Sequence, residues 1–378
     1  MRLRLARPLG LGAAAAALAF VGWGGLGACS SFGDEPDSGA PVDGGPVLDG
    51  ATSGDAPVGD GPAGNTDASD GGPERCGSCE GPCLPGVKAC APYVPFTGVP
   101  AGDITGLAIR SDDLYIAVQG MQSGIARAPV PKDTKVSPFG FVAMVDSPVG
   151  LAVSDAALFT TALGPGPARV VARLPIGSPA AELSVLPATL VAASSSHIIA
   201  GGPTALHACP LSDLFGGCVT DTNAVTVTHA AIAGTHGCFI GSLSGSETRV
   251  HCRDGVALPG VRAPVGSATA LAVGPDRVAW AEGDFIRTEK LSGPSALAEF
   301  QLSPVSGAIT ALAIDGVDLF YVRGNDLFRC ALADCRIANR VRLTTAPNIR
   351  FLALTDRHVY FVIGANGALQ VARVPRTP

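Results

Sequence analysis

Short apolar segments separated by polar turns recur along the chain from about residue 91 to its end. The clearest copy spans residues 309–332, where apolar segments at 311–314, 319–322 and 327–332 are separated by turns at Asp315-Gly316 and at 323–325. Apolar segments this short, bounded by Gly, Asp and Asn, predict β-strands rather than helices. The pattern therefore predicts an all-β chain made of three-strand units.

Seven copies of this unit can be aligned at a spacing of roughly forty residues. A small residue recurs in the first strand, at Ala108, Ala152, Ala192, Ala272, Ala313 and Ala353. The third strands align on Arg127, Arg173, Ala208, His251, Arg287, Arg329 and Arg373. A period of about forty residues made of short strands is typical of a β-propeller blade, so the sequence predicts a seven-bladed β-propeller.

Each blade also needs a fourth, outer strand, and these are predicted at 138–144, 181–186, 224–228, 261–265, 298–302 and 339–344. That gives six outer strands for seven blades. Residues 91–97 precede the first copy and can supply the missing outer strand, which would close the ring and leave no open sheet edge. We therefore expect the propeller to span residues 91–378. In its fourth blade, Cys238-Phe239 is aligned with Leu114-Tyr115 of the first.

The N-terminus carries an export signal. Arg2, Arg4 and Arg7 precede an apolar run at 9–21 that is short for a membrane span, and the run is followed by Leu26-Gly27-Ala28-Cys29. This sequence resembles the lipobox of bacterial lipoproteins. The resemblance implies a signal peptide at 1–28, a lipid on Cys29 and a place in the bacterial cell envelope; Ser30 favours the outer membrane. An ordinary secretory signal is the alternative.

Residues 29–75 are rich in Gly, Pro, Ala and Ser, with ten acidic residues and a single basic one. Such a segment cannot bury enough apolar surface to fold, so we expect a disordered acidic tether. From Cys76 onward, acidic and basic residues are equal in number. The absence of a basic domain gives no support to nucleic-acid binding.

Cysteine spacing predicts disulfides, because an exported chain meets an oxidising compartment. We expect the pairs Cys238–Cys252, Cys209–Cys218 and Cys330–Cys335, with Cys209, Cys252 and Cys330 in one column of the repeat. Two more disulfides are expected in a small segment at 76–90, where three connectivities stay open and a zinc site is the alternative; these cysteines are Cys76, Cys79, Cys83 and Cys90.

The repeat region as a whole resembles secreted seven-bladed propellers of the NHL and tryptophan-aspartate type. It is similar to the lipid-anchored, cysteine-containing propellers of GC-rich predatory soil bacteria. The resemblance implies a shape and not an activity, because propellers host binding modules and several classes of enzyme.

Candidate ligand contacts follow from position alone. Loops that enter first strands, or join second to third strands, share one face of a propeller around the central channel. Of the histidines, His229 could reach the mouth of this channel. The arginines aligned in the third strands, which we call the arginine column, are interpreted as structural, with their aliphatic side-chain carbons covering apolar surface between blades. The candidates are Asp103, Gln119, Asp146, His229, Arg323, Asn325, Asn348 and Asn366.

Two functional hypotheses follow. The preferred one is a non-enzymatic envelope lipoprotein that binds a protein or glycan. The alternative is a propeller enzyme, such as a metal-dependent lyase or lactonase, which needs several histidines or carboxylates converging on the channel mouth. We predict no cofactor, no metal site and no catalytic residue.

Overall fold

Short strands joined by tight turns make up a computed structural model that describes residues 78–85, 88–133, 135–164, 166, 168–213, 216–222, 224–243, 247–255, 260–292, 296–302, 307–364 and 368–377. The predicted signal peptide and tether lie outside these residues. Within the described ranges, no helix is long and apolar enough to cross a membrane.

Within the described residues the strands follow one another in chain order, with one short 3-10 turn at Ile337–Asn339. They are β1 (Phe96–Thr97), β2 (Asp103–Arg110), β3 (Asp113–Gln119), β4 (Gly124–Pro129), β5 (Ser137–Pro138), β6 (Gly140–Met144), β7 (Val149–Val153), β8 (Ala157–Leu163), β9 (Arg169–Pro175), β10 (Glu182–Pro187), β11 (Leu190–Ala193), β12 (His197–Gly201), β13 (Leu206–Pro210), β14 (Val219–Asp221), β15 (Ala224–Ala233), β16 (His236–Leu243), β17 (Arg249–Asp254), β18 (Gly260–Pro264), β19 (Ala268–Val273), β20 (Arg277–Glu282), β21 (Phe285–Lys290), β22 (Ala298–Gln301), β23 (Ile309–Asp315), β24 (Asp318–Arg323), β25 (Asp326–Ala331), β26 (Val341–Thr345), β27 (Arg350–Leu354), β28 (His358–Ile363) and β29 (Gln370–Pro375).

Seven antiparallel sheets confirm the predicted seven-bladed propeller. In chain order the blades are β2-β3-β4-β6, β7 to β10, β11 to β14, β15 to β18, β19 to β22, β23 to β26 and β27-β28-β29. The first strand of each blade packs against the first strands of both neighbours, and β27 packs against β2. Apolar side chains fill every seam between blades, because each sheet buries both of its faces.

Ring closure uses the segment before β2, as predicted, but through a smaller contact than a whole strand. Tyr93 makes an antiparallel bridge with Arg373 of β29, with N···O distances of 3.0 and 2.8 Å. A few residues later, β1 pairs in parallel with β5, a two-residue strand in the connection between β4 and β6 of blade 1. Pro92 and Pro95 explain the interruption, since proline has no backbone N–H to donate to a ladder.

A buried ion pair accompanies this bridge. Arg373 is fully buried, and its Nε and Nη2 donate to the two carboxylate oxygens of Glu80 at 2.7 Å each. The same guanidinium donates to the Tyr360 hydroxyl and to the carbonyls of Pro131 and Asp133. Burial by itself would lower the pKa of Arg373, but the hydrogen bonds to Glu80 and Tyr360 reverse this and leave that pKa raised.

The outer strand of blade 3 differs from the prediction. Residues 224–228 were assigned to it, but they begin β15, the long inner strand of blade 4. The outer strand is instead β14, which pairs with β13. The Cys209–Cys218 disulfide closes the loop between β13 and β14 and places Val219 directly opposite Ala208. The short connection between these two strands is therefore sufficient to form the outer strand.

The register of blade 4 also differs. Gly237 and Phe239 face blade 3, because a side-chain carbon built on Gly237 would lie 2.1 Å from Ile199, and Phe239 packs in the same cluster as that residue. Cys238 therefore faces the following blade, blade 5, just as Tyr115 of blade 1 faces blade 2. Cys238 thus corresponds to Tyr115, and not to Leu114 as the sequence alignment predicted. Ala231, opposite Cys238, completes the alanine column, and Cys252 replaces His251 in the arginine column.

The predicted alignment also placed Arg287 of blade 5 in the arginine column, and this is wrong by one residue. Arg287 lies opposite Trp280, whereas the small residue Ala279 of the same blade lies opposite Thr288. The column therefore reads arginine in blades 1, 2, 6 and 7 only. Each of these four guanidiniums pairs with a carboxylate, as expected of a structural column; the pairs are Arg127–Asp113, Arg173–Glu182, Arg329–Asp318 and Arg373–Glu80.

Disulfides join the three predicted pairs, Cys209–Cys218, Cys238–Cys252 and Cys330–Cys335. In the N-terminal segment Cys79 pairs with Cys90, and Cys83 is disulfide-bonded as well; Cys76 lies outside the described residues. The expectation that Cys252 shares a column with Cys209 and Cys330 is wrong. Those two face the preceding blade, whereas Cys252 faces the following one.

We expect Glu80→Ala to lower the free energy of unfolding by about 3 kcal/mol, because it leaves the fully buried Arg373 without its carboxylate. The matched control is Glu182→Ala, which removes the partner of Arg173 in the same column. That pair is partly exposed, so its loss should cost less than about 1 kcal/mol. Urea titrations of both variants measure the difference, and equal losses would contradict the assigned role of Glu80.

Candidate functional site

One face of the propeller gathers the predicted ligand candidates. In an antiparallel blade, the loops joining second to third strands and those entering first strands lie at the same end; we call this end the loop face. Asp146, Asn325 and Asn348 lie in these loops, and Asp103, Gln119 and Arg323 are at strand ends bordering them. Asn366 lies outside the described residues.

Asp103 and Gln119 face each other across the first hairpin of blade 1. The Asp103 carboxylate also lies 3.1 Å from Nη2 of Arg350 in blade 7, so this pair spans the seam at which the ring closes. Asp146 has an exposed side chain, and its carbonyl accepts a hydrogen bond from the Leu163 N–H at 3.1 Å. Of these three candidates, the structure brings Asp103 and Gln119 together.

Arg323 is a structural residue in this arrangement. Its side chain is only 2% exposed, pairs with Asp284 of blade 5, and donates from Nε to the Gly307 carbonyl at 3.1 Å. The guanidinium therefore fastens blade 6 to blade 5 below the loop face, and it is not presented to a ligand.

His229 likewise has a structural role. It projects from β15 toward blade 5, where Nε2 donates to the Thr269 carbonyl at 3.2 Å. Nδ1 then accepts from the Thr228 hydroxyl at 3.0 Å. Burial lowers the pKa of His229, and the Thr269 carbonyl only partly opposes this. The ring is therefore a neutral connector between two inner strands.

A pocket of about 680 Å³ opens at the loop face between blades 6 and 7. Its wall combines the inner strands of blades 6 and 7, the loop between these blades, and the turns after the second strands of both. The residues that characterise it are Thr310, Gly324, Asn348, Arg350, Phe351 and Gly364. We call it the mouth pocket.

Phe351 reaches this pocket through an irregular backbone. It is the extra residue of a β-bulge in β27, between the paired residues Arg350 and Leu352, and its φ is +53°. Gly150 holds the corresponding position of blade 2, two residues before the column alanine, with φ +69°. A bulky side chain in the left-handed region is a genuine outlier, and such strain costs on the order of 1–3 kcal/mol.

The equivalent strands of blades 1, 2, 4, 5 and 6 are also irregular, and in three of them, blades 1, 5 and 6, the extra residue is a threonine. The extra residues are Thr105 in blade 1, Thr269 in blade 5 and Thr310 in blade 6. Thr269 and Thr310 are exposed although the residues on one side of each are buried. The inner strands of blades 5 and 6 therefore present exposed hydroxyls toward the loop face and blade 7 an aromatic ring, whereas the Thr105 hydroxyl of blade 1 donates to the Pro148 carbonyl at 2.7 Å.

Hydrogen bonds to Asn325 hold Asn348 in position. The Asn348 N–H donates to Oδ1 of Asn325 at 3.3 Å, and the Asn325 carbonyl accepts from the Ala346 N–H at 2.9 Å. These bonds hold the loop into blade 7 while Asn348 adopts a φ of +52°. The Asn348 side chain is exposed and lines the mouth pocket.

The candidates predicted from the sequence include Asn348 of the pocket lining but not Thr310, Arg350 or Phe351. One signal was available. When the repeats are aligned on the first-strand alanine, residues 350–353 of blade 7 match residues 149–152 of blade 2. In this alignment Phe351 takes the position of Gly150. Within the part of the chain that the structure describes, no group of three or more His, Cys, Asp or Glu side chains is arranged to hold a metal ion.

No known protein family matches the sequence, and no curated protein matches it. Solved structures with the same architecture are numerous and distant. The structure of streptogramin B lyase has a TM-score of 0.54 at 10% identity, covering 75% of this chain and 96% of the lyase. BamB from Moraxella catarrhalis has a TM-score of 0.50 at 14% identity, covering 74% and 85%. A chain of the mitotic checkpoint complex has a TM-score of 0.56 at 12% identity, covering 74% and 93%. At these identities the likeness shows that the chain has the seven-bladed propeller fold.

Proposed function

We propose that this chain is a lipid-anchored protein of a bacterial cell envelope, on the outer membrane, that binds a protein or glycan through its loop face without catalysing a reaction. Its disulfides are typical of proteins outside the reducing cytosol. The basic and apolar N-terminus ending at Cys29 supports the anchor, with residues 1–28 as signal peptide and 29–75 as tether.

The mouth pocket is the observation that carries the binding role. Phe351 adopts a left-handed backbone in a place where blade 2 uses glycine, so its ring is kept at an energetic cost. The half-buried ring packs against the apolar cluster in the seam between blades 7 and 1 and also lines the mouth pocket, so packing offsets only part of that cost. Contact with a ligand is the explanation we favour, since strained residues cluster at ligand sites.

The enzyme alternative would need acid–base or metal-binding groups at the channel mouth. His229, the histidine predicted to reach the channel mouth, bonds through Nε2 to the Thr269 carbonyl of blade 5 and through Nδ1 to the hydroxyl of the preceding residue, Thr228. The likeness to streptogramin B lyase, at 10% identity, is a likeness of fold alone. The mouth pocket, with its aromatic, hydroxyl and amide groups, fits recognition better than proton transfer.

We expect Phe351→Gly to leave the full-length protein folded, because glycine adopts this backbone in blade 2, and to weaken capture of isolated envelope fragments at least tenfold. The control is Val317→Gly. Val317 is 77% exposed in the turn between β23 and β24, at the opposite end of the blade, so capture should be unchanged. Sedimentation of the fluorescently labelled protein with envelope fragments measures both.

Protease treatment of the fragments abolishes capture if the ligand is a protein, and periodate oxidation abolishes it if the ligand is a glycan. Equal capture by the wild type and Phe351→Gly would contradict a binding role for the mouth pocket. Chemical conversion of the captured component by the wild type would overturn the non-enzymatic assignment.

The lipid anchor is tested separately. We expect the wild type to partition into the detergent phase of a Triton X-114 extraction and Cys29→Ala to partition into the aqueous phase. Ser30→Ala is the control and should behave as the wild type, because the acylated sulfur is unchanged. A wild type found in the aqueous phase would rule out the anchor.

A further inference from the structure

The side chains around the mouth pocket carry no uncompensated charge. Arg350 is the charged residue of the pocket lining, and the neighbouring Asp103 carboxylate lies 3.1 Å away and balances it. Nearby Arg323 is buried and balanced by Asp284. A phosphate, a carboxylate or an ammonium entering this pocket would lose hydration without meeting an uncompensated opposite charge, and that loss is costly. A neutral ligand fits.

The polar groups of the pocket are neutral and can both donate and accept. The exposed Thr310 hydroxyl and the exposed Asn348 side-chain amide each have donor and acceptor capacity. Groups of this kind match hydroxyls, which also donate and accept. A ligand dense in hydroxyls would therefore satisfy both side chains at once, whereas an apolar ligand would leave them unpaired.

Phe351 adds an apolar surface beside those groups. The face of an aromatic ring is the negative end of its quadrupole, so it attracts the weakly positive C–H groups of a flat ring stacked on it. A pyranose combines a C–H face with hydroxyls around its edge. The Arg350 guanidinium lies over one face of the Phe351 ring, with its Cζ 6.0 Å from the ring centroid, so a pyranose would stack on the opposite face.

We propose that the mouth pocket binds a neutral oligosaccharide segment, with one sugar ring stacked on Phe351 and its hydroxyls bonded to Thr310 and Asn348. This inference rests on the binding function proposed above and selects its glycan form. The pocket volume of about 680 Å³ is in the range of small-ligand sites, roughly 300–1,000 Å³. Protein-binding hot spots instead concentrate Trp, Tyr and Arg anchors, and this pocket has one aromatic ring and a neutralised arginine.

The test is isothermal calorimetry of the full-length protein in detergent with cellohexaose, chitohexaose and maltohexaose, and with an acidic hexagalacturonate. We expect at least one neutral hexasaccharide to bind and the acidic one not to bind. Phe351→Gly should weaken that binding at least tenfold, and Thr310→Val about fivefold or more, because valine has the shape of threonine without its hydroxyl.

Thr269→Val is the matched control. Thr269 occupies the same bulge position in blade 5, is also exposed, and lies outside the pocket lining, so its substitution should leave the affinity unchanged. An equal loss in Thr269→Val and Thr310→Val would overturn the assignment to the mouth pocket. Preference for the acidic hexasaccharide would overturn the neutral-ligand argument.

Failure of every neutral hexasaccharide to bind would overturn the saccharide proposal. If envelope capture still depended on Phe351 in that case and was sensitive to protease, the ligand would be a protein, and the general binding function would stand. If capture did not depend on Phe351 either, both proposals would fall.

Discussion

Closure of the ring at Arg373 is the interaction on which the rest of the structure depends. Blade 7 has three strands, so β29 would present an open edge if Tyr93 did not bridge to it. The Arg373 side chain is buried at the same place and bonds to Glu80 and to the loop after β4. One guanidinium thus joins the N-terminal segment, blade 7 and blade 1. The mouth pocket depends on the same seam, because Arg350 of blade 7 pairs with Asp103 of blade 1.

The seam between blades 3 and 4 shows how the ring tolerates variation. Blade 3 has Ala208 in the arginine column, and the charge comes instead from blade 4. His251 and Arg253 project back toward Asp221 of β14, and burial lowers the pKa of both. Arg253 donates from Nε to the Gly255 carbonyl at 3.1 Å. A seam therefore requires filled volume and balanced charge, but either blade can supply them.

The repeat period and the apolar strands were sufficient to predict the blade count and the closing segment, and the cysteine spacing was sufficient to predict three disulfides. They were not sufficient to predict which face a residue occupies. Cys238 and Cys252 are opposite each other in the observed register, and the predicted pair does not depend on which neighbouring blade they face. A shift of one residue exchanges the two faces of a strand, and apolar runs buried on both faces carry no alternation that would fix it.

Bulges set a similar limit at the mouth pocket. A bulge moves one residue out of the ladder, and its position depends on backbone geometry more than on side-chain type. Blades 1, 5 and 6 bulge at a threonine, whereas blade 7 bulges one residue nearer the hairpin turn, at Phe351. Because of that shift Arg350, which aligns with those threonines, stays paired with Val362 in the ladder, and its guanidinium lies 3.1 Å from Asp103. The bulge therefore produces both features of the pocket at once: an aromatic face beside the channel and an arginine whose charge is already balanced.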